Sequence, residues 1–287
     1  MNYSLLIQNR HSTRAFTSKK VSKNEEKLIL SYFNDGVQRL IPEIKTELLI
    51  FGDEVQNALE GAAGYNDMLI GAPKYMVLLS ESAGGAGLNA GYIMEDLILK
   101  LLDEGLGSCW ITFTDSAEIK AALNISSELE VAAIAAFGYG QKSVKRMHVN
   151  IKSMSNVDIK AKRHYFDPKK KVSDIVFKDE WGNSDAAEEY IGFFDDMLWE
   201  AFYAASLSPS YLNRQPYGFL IKDGRLYLVK TADEYTTEID SALDLGAALL
   251  HFTSVAGSWA NHIKWSCAKD ADLSLPEGFK PVAVTDL

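Results

Sequence analysis

The sequence predicts an α+β protein built from two tandem α/β halves. Short apolar runs of strand length alternate with longer helical stripes on both sides of a polar, lysine-rich stretch at residues 141 to 185, which reads as a linker. Fragments also return in the same order: Lys19-Lys20-Val21-Ser22 as Lys170-Lys171-Val172-Ser173, and Val131-Ala132-Ala133 as Val282-Ala283-Val284, at one common offset. Gly91 stands as far before Trp110 as Gly246 does before Trp265. Each return alone is compatible with chance, and two unrelated layers of similar composition would give some of them; their common order favours a duplicated unit. The 287 residues suit this division, since domains average roughly 150 residues. The expected units are 1–160 and 161–287.

The elements follow in order. Ser4 to Asn9 reads as the end of a short amphipathic helix, and a second helical pattern runs from Lys23 to Phe33. Glu47 to Phe51 and Lys74 to Leu79 are apolar runs of buried-strand type. From about Asn89, Ile93, Leu97 and Leu101 form a helical stripe with Met94, Ile98 and Leu102, and Gly105 supplies the stop. Val131 to Phe137 reads as a central strand ending in Gly138-Tyr139-Gly140. In the second half a helix from Ile191 to Ala205 leads into the loop Ser206-Leu207-Ser208-Pro209-Ser210. Phe219 to Lys222 and Leu226 to Lys230 flank Asp223-Gly224, a hairpin signal, and a long helix covers Ile239 to Ala256.

Composition narrows the function. The formal net charge is -10, which removes the global attraction that a nucleic-acid or anionic-membrane binder would use, while 47% hydrophobic residues suffice for a real core. No stretch approaches the ~20 apolar residues of a membrane span, and the first 30 residues lack the apolar core of a secretion signal. The expectation is a soluble cytoplasmic protein without nucleic-acid or membrane partners. Cys109 and Cys267 share no ligand spacing, and the five histidines are scattered, so no metal site is expected.

Familiar catalytic patterns fail. Gly138-Tyr139-Gly140-Gln141-Lys142-Ser143 lacks the glycine spacing of a P-loop, and Gly85 to Gly91 has its third glycine one place too late for a dinucleotide fingerprint. Neither a nucleophile elbow nor a zincin helix is present. Two segments remain unusual. Arg10-His11-Ser12-Thr13-Arg14 packs two guanidiniums and two hydroxyls into five residues, a set suited to an anionic oxygen group; read alone, it is equally a solvated basic turn. Ser208-Pro209-Ser210-Tyr211-Leu212-Asn213-Arg214-Gln215-Pro216-Tyr217 is stiffened by two prolines and offers amides and hydroxyls to a heterocycle edge; read alone, it is equally a rigid connection.

Together these segments resemble the FMN-dependent nitroreductase family. Arg10-His11-Ser12-Thr13-Arg14-Ala15-Phe16 is similar to its amino-terminal Arg-(Arg/His)-Ser-x-(Arg/Lys)-x-Phe, and Pro209 to Tyr217 to its Pro-Ser-x-x-Asn-x-Gln-Pro-Trp, with Tyr for Trp. Ala72-Pro73-Lys74 and Gly105-Leu106-Gly107-Ser108-Cys109-Trp110 are weaker landmarks. The spacing departs from the family, where the Pro-Ser loop follows the Arg motif by about 30 residues; here Gly36 to Pro42 has lost it, and the loop stands in the second half. Conversely, the second half has only Arg163-His164-Tyr165 where an Arg motif would stand.

Ordinary members of that family are homodimers with FMN at the interface. The resemblance therefore implies a nitroreductase-like fold in which the halves form an intramolecular pseudo-dimer, a monomer with an internal pseudo-twofold that retains one site. It implies that Arg10, His11, Ser12 and Arg14 hold the FMN phosphate and ribityl chain, with Lys160, Lys162 and Arg163 as further basic candidates. Gly107 and Ser108 would shape the neighbouring loop, the backbone of Ile111 and Thr112 would face flavin N5, and Pro209, Ser210, Asn213 and Gln215 would line the ring. The implied activity is hydride transfer from NADH or NADPH through the flavin to a small-molecule acceptor such as a nitroaromatic or quinone. No catalytic side chain is expected, because the cofactor does the chemistry. A non-enzymatic FMN-binding or sensing protein is the alternative on the same fold.

Overall fold

The computed structural model describes residues 1–65, 68–141, 146–153, 156–162, 168–194, 196–257, 263–268 and 271–287, with side chains outside 142–167 and 192–196. The first half runs α1 (Tyr3–Asn9), α2 (Lys23–Ser31), β1 (Thr46–Gly52), α3 (Gln56–Leu59), β2 (Lys74–Ser80), α4 (Ala86–Asp103), β3 (Gly107–Ile111), α5 (Ser116–Ala122) and β4 (Glu130–Gly138). After the hairpin β5 (Arg146–Ser153) and β6 (Asn156–Lys162) come β7 (Val176–Lys178), α6 (Ser184–Phe194), α7 (Asp196–Ser206), β8 (Tyr217–Lys222), β9 (Arg225–Lys230), α8 (Glu238–Ala256), β10 (Ser266–Cys267) and β11 (Lys280–Asp286).

Local chemistry sets the helix ends. Ser22 and Glu25 close a capping box at the start of α2, and the Thr237 hydroxyl caps α8 by accepting from the Asp240 N–H. At the end of α4, Gly105 takes the left-handed conformation (φ 76°), Leu106 N–H donates to the Leu101 carbonyl and Gly105 N–H to that of Leu102. This is the glycine stop expected there, and it turns the chain directly into β3.

The two sheets share one topology. The orders β1-β2-β4-β3 and β8-β9-β11-β10 correspond strand for strand, and every neighbouring pair in them is antiparallel. β7 extends the second sheet by pairing in parallel with β8. Val131–Ala133 lies in β4 and Val282–Val284 in β11, the same place in the two sheets. The tandem halves are thus written in strand order as well as in sequence.

The expected linker is partly structured. Within residues 141 to 185 lie β5, β6, β7 and the start of α6. The reason is a period-two pattern obscured by the lysines: Met147, Val149 and Ile151 stand opposite Ala161, Ile159 and Val157 in the hairpin register. The expected helix from Ile191 to Ala205 is α6 and α7, with residue 195 outside the described residues. α4 starts at Ala86, ahead of the expected Asn89.

Each sheet packs on one long helix. Ile93, Met94, Leu97 and Leu101 of α4 join Met76, Leu78, Ala133 and Phe137 of the first sheet. In the second half Ala248, Leu249 and Phe252 of α8 pack with Phe202, Phe219 and Leu228, and Leu6, Ile7, Tyr92 and Leu99 of the first half belong to the same core. α3 and α5 cover the far face of the first sheet through Leu59, Ile119 and Leu123. No helix among the described residues is long and apolar enough to cross a membrane.

The halves meet where α4 and α8 cross. A Cβ on Gly91 would stand 2.3 Å from the Leu243 carbonyl oxygen, and one on Gly246 would stand 2.1 Å from that of Leu88. Gly91 and Gly246 correspond at the same offset as Leu88 and Leu243, so the contact is reciprocal, as in an isologous dimer interface. Only glycine permits such backbone approach. Gly246→Ala, which in an open helix would stabilise by up to about 1 kcal/mol, is expected to cost about 1–3 kcal/mol here. Urea denaturation reads the sign directly.

Candidate functional site

The amino-terminal Arg motif is stitched to β3 and to the turn after β4. Ser12 bridges Ser108, Thr13 N–H donates to the Ser108 carbonyl (2.8 Å), Thr17 N–H to the Tyr139 carbonyl (2.8 Å) and Gln141 N–H to the Ala15 carbonyl (2.9 Å). The fit is close: a Cβ on Gly107 would meet Thr13 Oγ1 at 2.4 Å. The Gly-Leu-Gly sequence at 105–107 therefore ends a helix and admits the motif.

A cavity of about 220 Å³ opens there, lined by Arg10, His11, Thr13, Ile98, Leu102, Gly105, Leu106, Gly107, Ser108, Gly140 and Gln141. Arg10 enters it from one side with its side chain only 8% exposed, and its Nε lies 3.0 Å from Glu95 Oε1. That ion pair lacks hydrogen-bond alignment, and Nη2 is buried without any partner. Glu95, fully buried on α4, also faces His251 Nε2 at 3.0 Å through Oε1 and accepts from the Trp110 indole at 2.8 Å through Oε2. The His251 Nδ1 lies 3.1 Å from the Ala204 carbonyl on α7. Burial alone would push Glu95 up, but the Arg10 charge and the His251 and Trp110 contacts bring it below the ordinary carboxylate range.

The Pro-Ser loop is a strained segment pinned from several sides. Leu212, Asn213 and Gln215 all have positive φ (49°, 57° and 49°), a concentration that costs energy at each non-glycine residue. The loop is held by Lys169 Nζ, which donates to the Ser208 carbonyl (2.9 Å) and Asn213 Oδ1 (2.6 Å), and by Lys170, which donates through its N–H to Gln215 Oε1 and through Nζ to the Gln215 carbonyl. Gln215 Nε2 donates to the Ser206 carbonyl and lies 3.2 Å from the Tyr217 hydroxyl; Asn213 Nδ2 donates to the Pro168 carbonyl; Ser210 Oγ accepts from Gln215 N–H. Tyr211 N–H is held by both oxygens of Asp244 on α8, and the Tyr211 ring meets that of Tyr65 edge-on at 6.2 Å.

The predicted residues therefore fall into three groups. Arg10, His11, Gly107 and Ser108 share the cavity, with Ser12 beside them and Arg14 exposed next to them. Thr112 sits between that group and the loop: its hydroxyl donates to Asp240 Oδ1 (2.9 Å), one turn before Asp244 on α8, and Ile111 is buried as the last residue of β3. Pro209, Ser210, Asn213 and Gln215 form the loop, and none of them lines the cavity. The Asn213 and Gln215 amides, expected to face a ring, are spent on the chain itself, because the left-handed backbone needs those anchors. Lys160 and Lys162 lie in β6, where side chains are outside the described ones, and Arg163 lies outside the described residues.

Sequence reasoning missed Glu95, His251, Asp240, Asp244, Lys169 and Lys170. A signal was available for two of them: Glu95 and His251 are ionisable residues inside otherwise apolar helical stripes. Lys169 looked like one more lysine of a linker.

Residues 3–176, more than half of the sequence, match the family described as "Putative TM nitroreductase". The chain belongs to this family. It is an oxidoreductase of the nitroreductase type, with a nitroreductase fold. Among solved structures it is similar to a protein from Thermotoga maritima MSB8 described as a "putative nitroreductase", at 18% identity, over 99% of this chain and 93% of that one, with a TM-score of 0.56, a likeness of fold. A nitroreductase family protein from Clostridium novyi NT matches 49% of this chain over 86% of its own at 20% identity and a TM-score of 0.43. An FMN-dependent nitroreductase from Clostridium difficile R20291 matches 48% over 88% of its own at 19% identity and 0.39. No protein of curated function matches the sequence.

Asp244 yields a pH prediction. Burial pushes its carboxyl well above the ordinary range, and the Tyr211 N–H offsets this only in part. The fold thus favours the neutral form: this contribution is full below the unfolded carboxyl value near 3.9 and is lost as pH rises through the folded one. Asn89, the α4 equivalent, already holds Ile41 N–H with a neutral amide. Asp244→Asn is therefore expected to fold and to lose less stability than the wild type between about pH 4 and 8, read from denaturant midpoints across that range.

Proposed function

We propose that the chain binds one FMN in a cleft that begins at the Arg10 cavity and uses it to pass hydride from NADH or NADPH to a small oxidised acceptor, such as a nitroaromatic or quinone. The observation that carries this reading is Arg10, which lines a cavity with Gly107 and Ser108 and whose guanidinium keeps two buried nitrogens, Nε and Nη2, without hydrogen-bond partners. Leaving such a donor unmatched costs about 1–3 kcal/mol or more, and a phosphate oxygen is the acceptor that suits it best.

Arg10, Ser12 and Arg14 would hold the phosphate and the adjoining polyol, with His11 at the rim. Thr112 and the end of β3 at Ile111 would stand beside the ring, and Pro209 and Ser210 would border it from the second half. Asn213 and Gln215 would serve by fixing that loop, and Lys162 and Arg163 remain candidates for further basic contacts. When bound, FMN supplies the hydride chemistry. The chain's own residues bind, orient and exclude water, so no titrating side chain need act on the acceptor. Family membership supports the redox class. In this reading residues 1–160 and 161–287 act as an intramolecular pseudo-dimer, and one chain is a complete unit.

Purified protein is expected to be yellow or to turn yellow with added FMN, near one FMN per chain, and to bleach anaerobically with NADH or NADPH. Protein that ignores added FMN, or takes up two per chain, overturns the reading. Arg10→Ala is expected to weaken FMN binding by about 1.5 kcal/mol or more, roughly tenfold, in a fluorescence titration, with little change for riboflavin, which has no phosphate.

A further inference from the structure

We propose that Glu95 and His251 share one proton beneath Arg10 and so set the charge that the Arg10 cavity presents to an anionic group, making them positioning residues for the FMN phosphate. This rests on the FMN reading above and adds to it a coupling between phosphate binding and proton uptake.

The hydrogen-bond directions require the shared proton. His251 is fully buried between two oxygens: the Ala204 carbonyl at Nδ1 (3.1 Å) and Glu95 Oε1 at Nε2 (3.0 Å). A carbonyl can only accept, so Nδ1 carries a hydrogen. A neutral imidazole would then turn the lone pair of Nε2 toward an ionised carboxylate, placing two acceptors 3.0 Å apart between two fully buried side chains. The contact is satisfied only with one further proton between Nε2 and Oε1. Because the groups are this close, the proton belongs to the pair.

The consequence reaches the ligand through Arg10, which lines the cavity, whose Nε lies 3.0 Å from the same Glu95 oxygen and whose Nη2 is buried without a hydrogen-bond partner. With the shared proton present, the histidine–carboxylate pair is neutral overall and the cluster keeps the arginine's positive charge. With it gone, Glu95 cancels Arg10, and the cavity offers a geometric donor with little net charge behind it. The groups facing the pair are Arg10 from the amino-terminal segment, the Trp110 indole from β3 and the Ala204 carbonyl from α7. The next charges on α4, Asp96 and Lys100, are closed on each other and on the Tyr3 hydroxyl. On β3, burial pushes the Cys109 thiol up, against the pull of Arg14 and Arg10. His11, which lines the cavity, and Arg14 are both exposed. None of these provides a second buried acceptor for Nη2.

The test compares wild type with Glu95→Gln in FMN titrations from pH 5.5 to 9. The second ionisation of a phosphate monoester, near 6, affects both proteins alike, so the ratio of their dissociation constants isolates the pair. A glutamine amide donates to neutral His251 without an extra proton and leaves Arg10 uncompensated at every pH. The ratio of wild-type to variant Kd is expected to rise about tenfold across the range, the scale of one coupled proton. A flat ratio overturns the proposal. If Glu95→Gln does not fold, calorimetry of the wild type in two buffers of different ionisation enthalpy counts the protons taken up. Near pH 8 uptake is expected with FMN and not with riboflavin; equal counts overturn the proposal. FMN binding with a flat ratio or equal counts rejects the proton linkage alone, whereas failure to bind FMN at every pH rejects the flavin reading itself.

Discussion

The backbone contact at Gly91 and Gly246 fixes almost everything else in the molecule. Two helices that approach until a Cβ on either glycine would clash with the other helix's carbonyl leave no room for side chains at the crossing. Larger residues are pushed to the flanks, where α4 meets the first sheet and α8 the second. Polar side chains on the facing turns are then trapped and must satisfy one another. Asp96 closes on Tyr3, Lys100 and the Gln38 N–H, and Glu95 closes on Trp110, His251 and Arg10. A buried ionised group without such partners would cost several kcal/mol.

The duplicated scaffold has diverged where chemistry is at stake. By the register of the glycine pair, Asn89 and Asp244 are equivalent, and each holds a backbone N–H of the loop beneath it, Ile41 in one half and Tyr211 in the other. The loops keep the anchor and differ in content: one has strained, amide-rich backbone, the other has shed it. The same register sets Leu250 of α8 against Glu95 of α4, so the second half has no carboxylate to seat an arginine at this position. The first half therefore carries the buried carboxylate beside Arg10, and the corresponding position of the second half does not.

Legibility in the sequence followed the range of the interaction. The α4 stripe and its Gly105 stop were readable because they depend on neighbours within two turns. The repeat was readable through short fragments that keep their order, and the strand order repeats with them. The β5–β6 hairpin escaped notice because the polar residues between its apolar ones (His148, Asn150, Asp158 and Lys160) make the segment look like a linker, although the alternation is there. Arg10 was singled out by composition, whereas Glu95 and His251 lie far apart in the chain and meet only because α4 and α8 cross. Nothing local in Gln215 says whether its amide faces outward or grips Lys170 and Ser206; the left-handed backbone around it decides that.

Charge closes the account. A chain of net charge -10 repels anions at long range, yet the deeply buried Arg10 stands ready for one. The two statements are compatible because a Debye length of about 8 Å at physiological ionic strength screens the distant carboxylates, while a buried guanidinium acts through a poorly screened interior. Affinity for an anionic group at this cavity is therefore governed by the few charges within hydrogen-bonding reach. Of these, Glu95 is the only negative one recorded in contact with Arg10 among the described residues. A buried carboxylate there weakens the cation it supports, and the benefit is positional: it stands 3.0 Å from Nε and keeps at the cavity wall a guanidinium whose Nε and Nη2 lack hydrogen-bond partners.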